Sequence, residues 1–415
     1  MNKINLLKNQ IMLILVLALC CVQLSAQDKI TFTWQVPTDN CLKEAMLIGT
    51  ADKTSKVNWG DGITEDYPNN AGLEHTYATS GVYTVSITAN QDCQFTKFWC
   101  HGQNVTDLNF NDCNALEMVI CIENSLTQLA VKGCAQLGNL HCEKNQLTSL
   151  TISDCPALTE LYCFNNQLTQ CNIVAPQLEF LDCNNNQLTQ LDITTPKLEV
   201  LYCDNNQLTQ VNTTAPKIAL LSCVNNKLQL SDLYALHLLV ENTNNKSLGA
   251  QNLLPKWVDL NTELFANQSK FEEIYTKYIV EMEGAPAPDS TYTITDGKLT
   301  FHRYGTYTVT MTNDVIISTA PAKVTVVIDV VPVSISENDF ANFKVYPNPT
   351  RGELKIENGE LKIENVEIFD VYGKKILHSP FSILNSIDIS HFPAGIYFVK
   401  IRTEAGEVVK KVVKE

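Results

Sequence analysis

Cysteine is the residue with most chemistry to offer in this sequence, and it recurs. Fifteen are present in 415 residues. Seven fall at positions 100, 121, 142, 163, 183, 203 and 223, in steps of 21, 21, 21, 20, 20 and 20. Closely spaced thiolates bind zinc or exchange disulfides, and both uses favour CxxC pairs. The sequence contains no CxxC. One thiol every twenty residues suits small apolar filling of an interior instead. Cys113, Cys134 and Cys155 form a second row, three residues before Leu116, Leu137 and Leu158, and Cys171 fills a leucine slot. The expectation is structural cysteines with free thiols in the main row, no metal and no cofactor. In-register parallel strands hold neighbouring thiols side by side about 4.8 Å apart, a poor disulfide geometry. Cys41 and Cys93 stand apart. They bracket an N-terminal segment and are the one candidate disulfide.

Asp61 and His75 have the residue types of a catalytic pair, but no serine or second base completes a set, and turn and corner roles account for both. Paired carboxylates in a motif, metal-ligand spacing and a nucleophile signature are all missing, so an enzyme is not expected. The formal charge of −15 argues against nucleic-acid binding, which needs a basic face, and against anionic lipid. The length suggests several domains.

The elements that carry the cysteines follow from the period. Leu178-Glu-Phe-Leu181-Asp-Cys183-Asn-Asn-Asn186-Gln-Leu188 and Leu198-Glu-Val-Leu201-Tyr-Cys203-Asp-Asn-Asn206-Gln-Leu208 share the pattern LxxLxCxxNxL. A fixed period near twenty means a solenoid whose units stabilise one another by stacking. Leucine and cysteine point inward from a strand while the residues between them point out. The row Asn124, Asn145, Asn166, Asn186, Asn206 and Asn226, with Gln103 in its place in the first unit, closes each turn through its amide. The period shortens by one residue where Pro176, Pro196 and Pro216 appear, at a tight corner. This pattern resembles bacterial leucine-rich repeats, including those of internalin-like surface proteins, over residues 94–241.

The flanks read as β modules, giving a mainly β fold class: a leucine-rich repeat solenoid between immunoglobulin-like sandwiches, with a small C-terminal sandwich. Residues 1–26 read as a signal peptide: Lys3 and Lys8, an apolar stretch from Ile11 to Leu19, then Leu24-Ser25-Ala26. In 27–93, Trp59-Gly60-Asp61-Gly62, His75-Thr76-Tyr77 and Gly81 to Ile87 resemble, in order and spacing, a PKD-type immunoglobulin-like domain. Residues 242–333 hold a linker and a second sandwich with a hairpin at Asp296-Gly297, and 334–342 read as a linker. In 343–415 the ordered set Tyr346-Pro-Asn-Pro349, a turn at Gly373-Lys374, Pro393-Ala-Gly-Ile-Tyr-Phe-Val-Lys-Ile401 and a terminal Lys411-Val-Val-Lys414 closely resembles the C-terminal sorting domain of the type IX secretion system of Bacteroidota. That resemblance implies export to the cell surface or beyond, handled by the type IX machinery. The repeated Glu353-Leu-Lys-Ile-Glu-Asn358 and Glu360-Leu-Lys-Ile-Glu-Asn365 is expected to lengthen one hairpin.

In this repeat family the residues flanking the inward leucine and cysteine line the concave sheet. Trp99, His101, Ile120, Ile122, His141, Tyr162, Phe164, Phe180 and Tyr202 are the candidate ligand-binding residues. Apolar side chains on a solvent-facing sheet would form a large exposed patch, and such patches usually mark interfaces. The resemblance implies a surface adhesin that binds a protein on a host or a neighbouring bacterium. The other reading is a glycan-binding accessory protein of a surface hydrolase system, since aromatic columns stack on sugar rings.

Overall fold

The computed structural model describes residues 27–90, 92–331, 344–357, 363–371, 373–379, 386–403 and 406–415. The leader expected at 1–26 and the linker expected at 334–342 lie outside the described residues. The chain is mainly β, with a β-solenoid of about seven turns in the middle of the sequence. It divides into two compact units, one up to residue 206 with 211–220, the other 207–210 with 221–415.

The first unit opens with β1 (Lys29–Val36), β2 (Cys41–Gly49), β3 (Thr54–Asn58), β4 (Thr64–Pro68), β5 (Ala71–Tyr77) and β6 (Gly81–Ala89). Alternation in β1 buries Ile30, Phe32, Trp34 and Val36. The β3–β4 hairpin needs glycine at Gly60, whose φ is 86° and whose Cβ would stand 2.5 Å from the Thr84 carbonyl oxygen. Asp61 and His75 form a corner. His75 Nε2 meets Asp61 Oδ2 at 2.7 Å, and its ring stacks on Trp59 at 4.8 Å. Tyr77 Oη donates to the Trp59 carbonyl at 2.7 Å. Burial alone would raise the Asp61 carboxyl, but bonds from His75 and the Ile63 N–H hold it below the usual carboxylate range.

Forward and return strands then alternate: β7 (Phe95–Trp99), β8 (Val105–Asn109), β9 (Met118–Ile120), β10 (Gln128–Lys132), β11 (Asn139–His141), β12 (Ser149–Ser153) and β13 (Glu160–Tyr162). The series continues through β14 (Asn172–Ile173), β15 (Phe180–Asp182), β16 (Gln190–Ile193), β17 (Val200–Tyr202), β18 (Gln210–Thr213) and β19 (Leu220–Ser222). β7, β9, β11, β13, β15 and β17 pair in parallel and in register. β2 joins β7 antiparallel, and β8 joins β1. The N-terminal sandwich thus shares both sheets with the first coil and caps it, as a solenoid end requires.

Cys100, Cys121, Cys142, Cys163, Cys183, Cys203 and Cys223 are buried and unbridged. Burial pushes the Cys100 and Cys113 thiols up to about 12, far from a reactive thiolate. Asparagine ties each coil to the one before it. Asn166 Nδ2 donates to the Cys142 and Cys163 carbonyls, both at 3.1 Å, and its Oδ1 accepts from the Leu147 N–H at 2.9 Å. Asn124, Asn145, Asn186 and Asn206 repeat the arrangement. The residue before each ladder asparagine is left-handed, with φ between 53° and 56° at Glu123, Lys144, Asn165, Asn185, Asn205 and Asn225. Asparagine tolerates that region, which explains the Asn-Asn pairs of the later coils.

One sequence expectation is corrected in this unit. Cys41 and Cys93 do not bridge. Cys41 opens β2 opposite Tyr77, whereas the other end of β2, Gly49, lies opposite Phe95. Eight residues of strand put roughly 26 Å between those ends, well beyond the roughly 7 Å that a disulfide spans between Cα atoms. Cys93 Sγ instead accepts from Asn69 Nδ2. Gln103 stands in for the ladder asparagine at the cap, where its Oε1 accepts from the Glu44 N–H of β2 at 3.2 Å. Its Nε2 reaches its own turn at His101, and the buried Lys43 Nζ of β2 donates to the Gln103 carbonyl at 2.6 Å.

In the second unit, Leu221 and Ser222 pair with β20 (Lys246–Ser247). Gln251 of β21 (Ala250–Asn252) completes the ladder. It is fully buried, donates to the Cys223 carbonyl at 2.9 Å and accepts from Leu228 N–H at 3.3 Å. Helix α1 (Leu230–Leu239), which the sequence reading does not place, is capped by Gln229 and Asp232 at its start. At its end the buried Lys246 Nζ donates to the His237 and Val240 carbonyls at 2.8 and 2.6 Å. The following sandwich holds the Asp296-Gly297 hairpin between strands Tyr292–Thr295 and Lys298–Phe301. The C-terminal region has a three-stranded and a four-stranded sheet around Leu354, Val366, Ile368, Val399 and Ile401. The repeated hexapeptide does not lengthen one hairpin. Strand Glu353–Glu357 belongs to the first of these sheets and strand Ile363–Asp370 to the second. Each copy's leucine and isoleucine alternate with charge, so each suits a separate sheet face.

Candidate functional site

The forward strands are three to five residues long, and one leucine, valine or phenylalanine in each is buried between half-buried neighbours. Those neighbours form the outward side of the sheet, the side expected to be concave. Trp99, Ile120, His141, Tyr162, Asp182 and Tyr202 form its central column, each half-buried. Phe180 and Phe164 lie in the columns on either side, and Ile122 lies with Phe164. His101 is exposed at the edge, its Nε2 3.4 Å from Glu123 Oε2.

The expected large exposed apolar patch is not present in that form. None of these rings is among the exposed hydrophobic residues, because neighbours a strand apart cover one another. His141 stacks on Tyr162 at 4.2 Å with an interplanar angle of 8°. Tyr162 leans on Phe180 at 4.7 Å, and Phe180 meets Tyr202 edge-on at 5.9 Å. Four coils therefore share one continuous aromatic row. Trp99, Ile120, Ile122 and Phe164 lie on the same face outside that row.

The candidate ligand-binding set leaves out the carboxylates that share the outward columns of this face. The four coils from Cys142 to Cys203 each contribute one ring and one acid: His141 with Glu143, Tyr162 with Glu160, Phe180 with Asp182, and Tyr202 with Asp204. Glu143 is buried, its Oε1 3.5 Å from His141 Nδ1, and its Oε2 has no hydrogen-bond partner among the described residues. Tyr162 Oη donates to Glu160 Oε2 at 3.2 Å. Burial, then the charges of Asp204 and Glu143, raises the Asp182 carboxyl to about 6, against a bond from the Asn184 N–H. Burial and the neighbouring Glu160, Glu143 and Asp182 push Tyr162 up to about 12. The face is thus aromatic and crowded with negative charge. The acid of each coil sits two residues from its ring, on the outward side of the strand or just past its end, and that spacing was legible.

The face also extends past the repeats. β2 lies beside β7 with Met46 opposite Trp99, and β5 follows with Glu74 opposite Glu44. Gly72 leaves a hollow of about 250 Å³ between Glu44, Glu74, Met46, Trp99 and His101. The Nε1 of Trp99 is buried there without a hydrogen-bond partner among the described residues.

Comparison with known proteins bears on the C-terminal end and the middle of the chain. Residues 344–415 match the secretion system C-terminal sorting domain family, and residues 176–214 match the leucine-rich repeat family, two copies. The C-terminal match indicates export by type IX secretion to the cell surface or extracellular space. Similar solved structures include an internalin-like protein of Listeria monocytogenes, at 15% identity and TM-score 0.31, covering 57% of this chain and 87% of that one. The functional domain of InlJ from Listeria monocytogenes, described as including a cysteine ladder, matches at 15% identity and TM-score 0.18 over 57% of this chain and 90% of that one. The N-terminal four Ig domains of Dscam1 match at 15% identity and TM-score 0.16, over 40% and 44%. No curated protein sequence matches the chain.

Proposed function

We propose that this chain is a surface or secreted adhesin that binds a protein partner through the concave face of its repeats, without catalysis. The carrying observation is the aromatic row His141–Tyr162–Phe180–Tyr202, which crosses four coils whose inward positions are nearly invariant. A scaffold that fixes leucine, cysteine and asparagine while varying only the outward columns reserves those columns for recognition. Trp99, His101, Ile120, Ile122 and Phe164 widen the same face. On this reading the N-terminal module is a PKD-type cap, the source is a member of the Bacteroidota, and the partner sits on a host or a neighbouring bacterium. The sorting domain places the face outside the cell.

The alternative is glycan binding through the same rings, as an accessory to a surface hydrolase. The test is full-length protein against an extracellular host-protein panel and a glycan array in parallel. Signal on the protein panel that drops at least tenfold in Tyr162→Ser/Phe164→Ser/Tyr202→Ser supports the proposal. Signal confined to the glycan array supports the alternative.

A further inference from the structure

We propose that the acidic part of this face receives the arginine-bearing segment of a protein partner. The inference rests on the protein-binding reading above and adds the chemistry of what binds. Glu143, Glu160, Asp182 and Asp204 come from four successive coils, so they line about 14 Å of face at the spacing of adjacent strands. None of Glu143, Glu160 and Asp182 has a lysine or arginine within ion-pair distance among the described residues. Like charges in neighbouring strands repel, and a carboxylate oxygen left buried and unpaired, as Glu143 Oε2 is, costs free energy until a donor reaches it. Among the described residues, the other oxygen of Glu143 has only the long contact to His141.

The rings narrow the choice of donor. Tyr162 is packed between His141 and Phe180, so the acids stand beside aromatic surface rather than in open water. A guanidinium fits both features, since it is planar, stacks on rings and offers a fork of donors to carboxylates. A neutral sugar could donate hydroxyls to the acids but would leave their negative charge uncompensated. The chain as a whole is also acidic, at −15, so long-range attraction favours a basic partner before contact.

The experiment uses fluorescence anisotropy with full-length protein and two fluorescein-labelled dodecapeptides. One carries two arginines at alternate positions, and the other carries citrulline, the neutral isostere, in their place. The arginine peptide is expected to bind at least tenfold more tightly. Glu143→Gln/Asp182→Asn should abolish that preference, and the charge-matched Asp107→Asn/Asp192→Asn on the return strands should keep it. Equal binding of the two peptides by the natural protein overturns the proposal, as does equal loss in both double variants, which would mean diffuse charge. Cellohexaose competing as well as the arginine peptide also overturns it. Failure here is separable from failure of the protein-binding reading. If arginine preference is missing but Tyr162→Ser/Phe164→Ser/Tyr202→Ser still lowers binding on the protein panel, the face stands and the basic partner falls.

Discussion

The coils around Cys100 and Cys121 and the coils from Cys142 to Cys203 are built on the same interior and present different faces. Both bury an apolar strand residue and a cysteine, and from Cys121 onward each coil adds a buried ladder asparagine. Outward, the first pair shows Trp99, Lys97, Met118, Ile120 and Ile122, and the later four show a stacked ring and a carboxylate per coil. A difference confined to outward columns separates what holds the coil from what the coil offers. It teaches that stability and recognition reside on opposite sides of the same strand, in adjacent residues such as Leu161 and Tyr162.

The largest effect should come from breaking the side that both regions share. Asn166→Ala removes three donated bonds and one accepted bond; it strands the Leu147 N–H inside the protein, while the Cys142, Cys163 and Phe164 carbonyls keep donors from Asn145, Asn186 and the Lys144 N–H. A loss of about 1–3 kcal/mol is expected for that one stranded buried group. Urea unfolding measures it, and a loss below 1 kcal/mol would remove the ladder from its structural role. Leu161→Ala, at a fully buried position, should cost about 2–5 kcal/mol by the same measurement.

Next in size is the acidic and aromatic region. Tyr162→Ser/Phe164→Ser/Tyr202→Ser should lower adhesion at least tenfold, while far-UV circular dichroism stays that of the natural protein. Ile120→Ser/Ile122→Ser in the earlier coils should lower it less, by about threefold, because those side chains stand outside the ring row. A larger effect from the isoleucine pair would move the binding site toward the N-terminal cap and its hollow at Gly72.

The smallest effect sharpens the electrostatics. The Asp182 carboxyl titrates near 6 in the folded chain against 3.8 for a free aspartate, because burial and then the charges of Asp204 and Glu143 disfavour its ionised form. Between those values the folded chain holds a proton that the unfolded chain releases. The Asp182 contribution to stability therefore falls as pH rises through that window. Asp182→Asn should be more stable than the natural protein at pH 7, with the gap closing as pH drops toward 4. Thermal unfolding at pH 7, 5.5 and 4 reads this. A gap that widens on acidification would contradict the assigned sign.

Much of the solenoid was legible because its physics is periodic. A cysteine every twenty residues fixes the register, the register fixes which side chains face inward, and Asn124 to Asn226 then fall where the turns need an amide. What was not legible depends on pairings between distant segments. Nothing near Cys41 announces that β2 lies against β7, so the span between Cys41 and Cys93 was hidden, as was the role of Lys43 beside Gln103. The same holds for Gln251, which serves as an asparagine from outside the repeat pattern. On the face, the rings were found from residue type. Their mutual shielding was not, because hydropathy records a side chain's preference and not its neighbour. The acids stand in the outward columns of the sequence yet do not read as a site there, since a carboxylate on a strand is ordinary when solvated and becomes informative only once Glu143 is seen buried beside His141.

The central claim is that recognition belongs to the concave side of the coils from Cys142 to Cys203. The most direct measurement is cell adhesion of full-length protein displayed on the surface, comparing Tyr162→Ser/Phe164→Ser/Tyr202→Ser with Asp107→Asn/Asp192→Asn at matched display. The account predicts at least a tenfold drop for the first and no change for the second. Equal adhesion by both variants would contradict it.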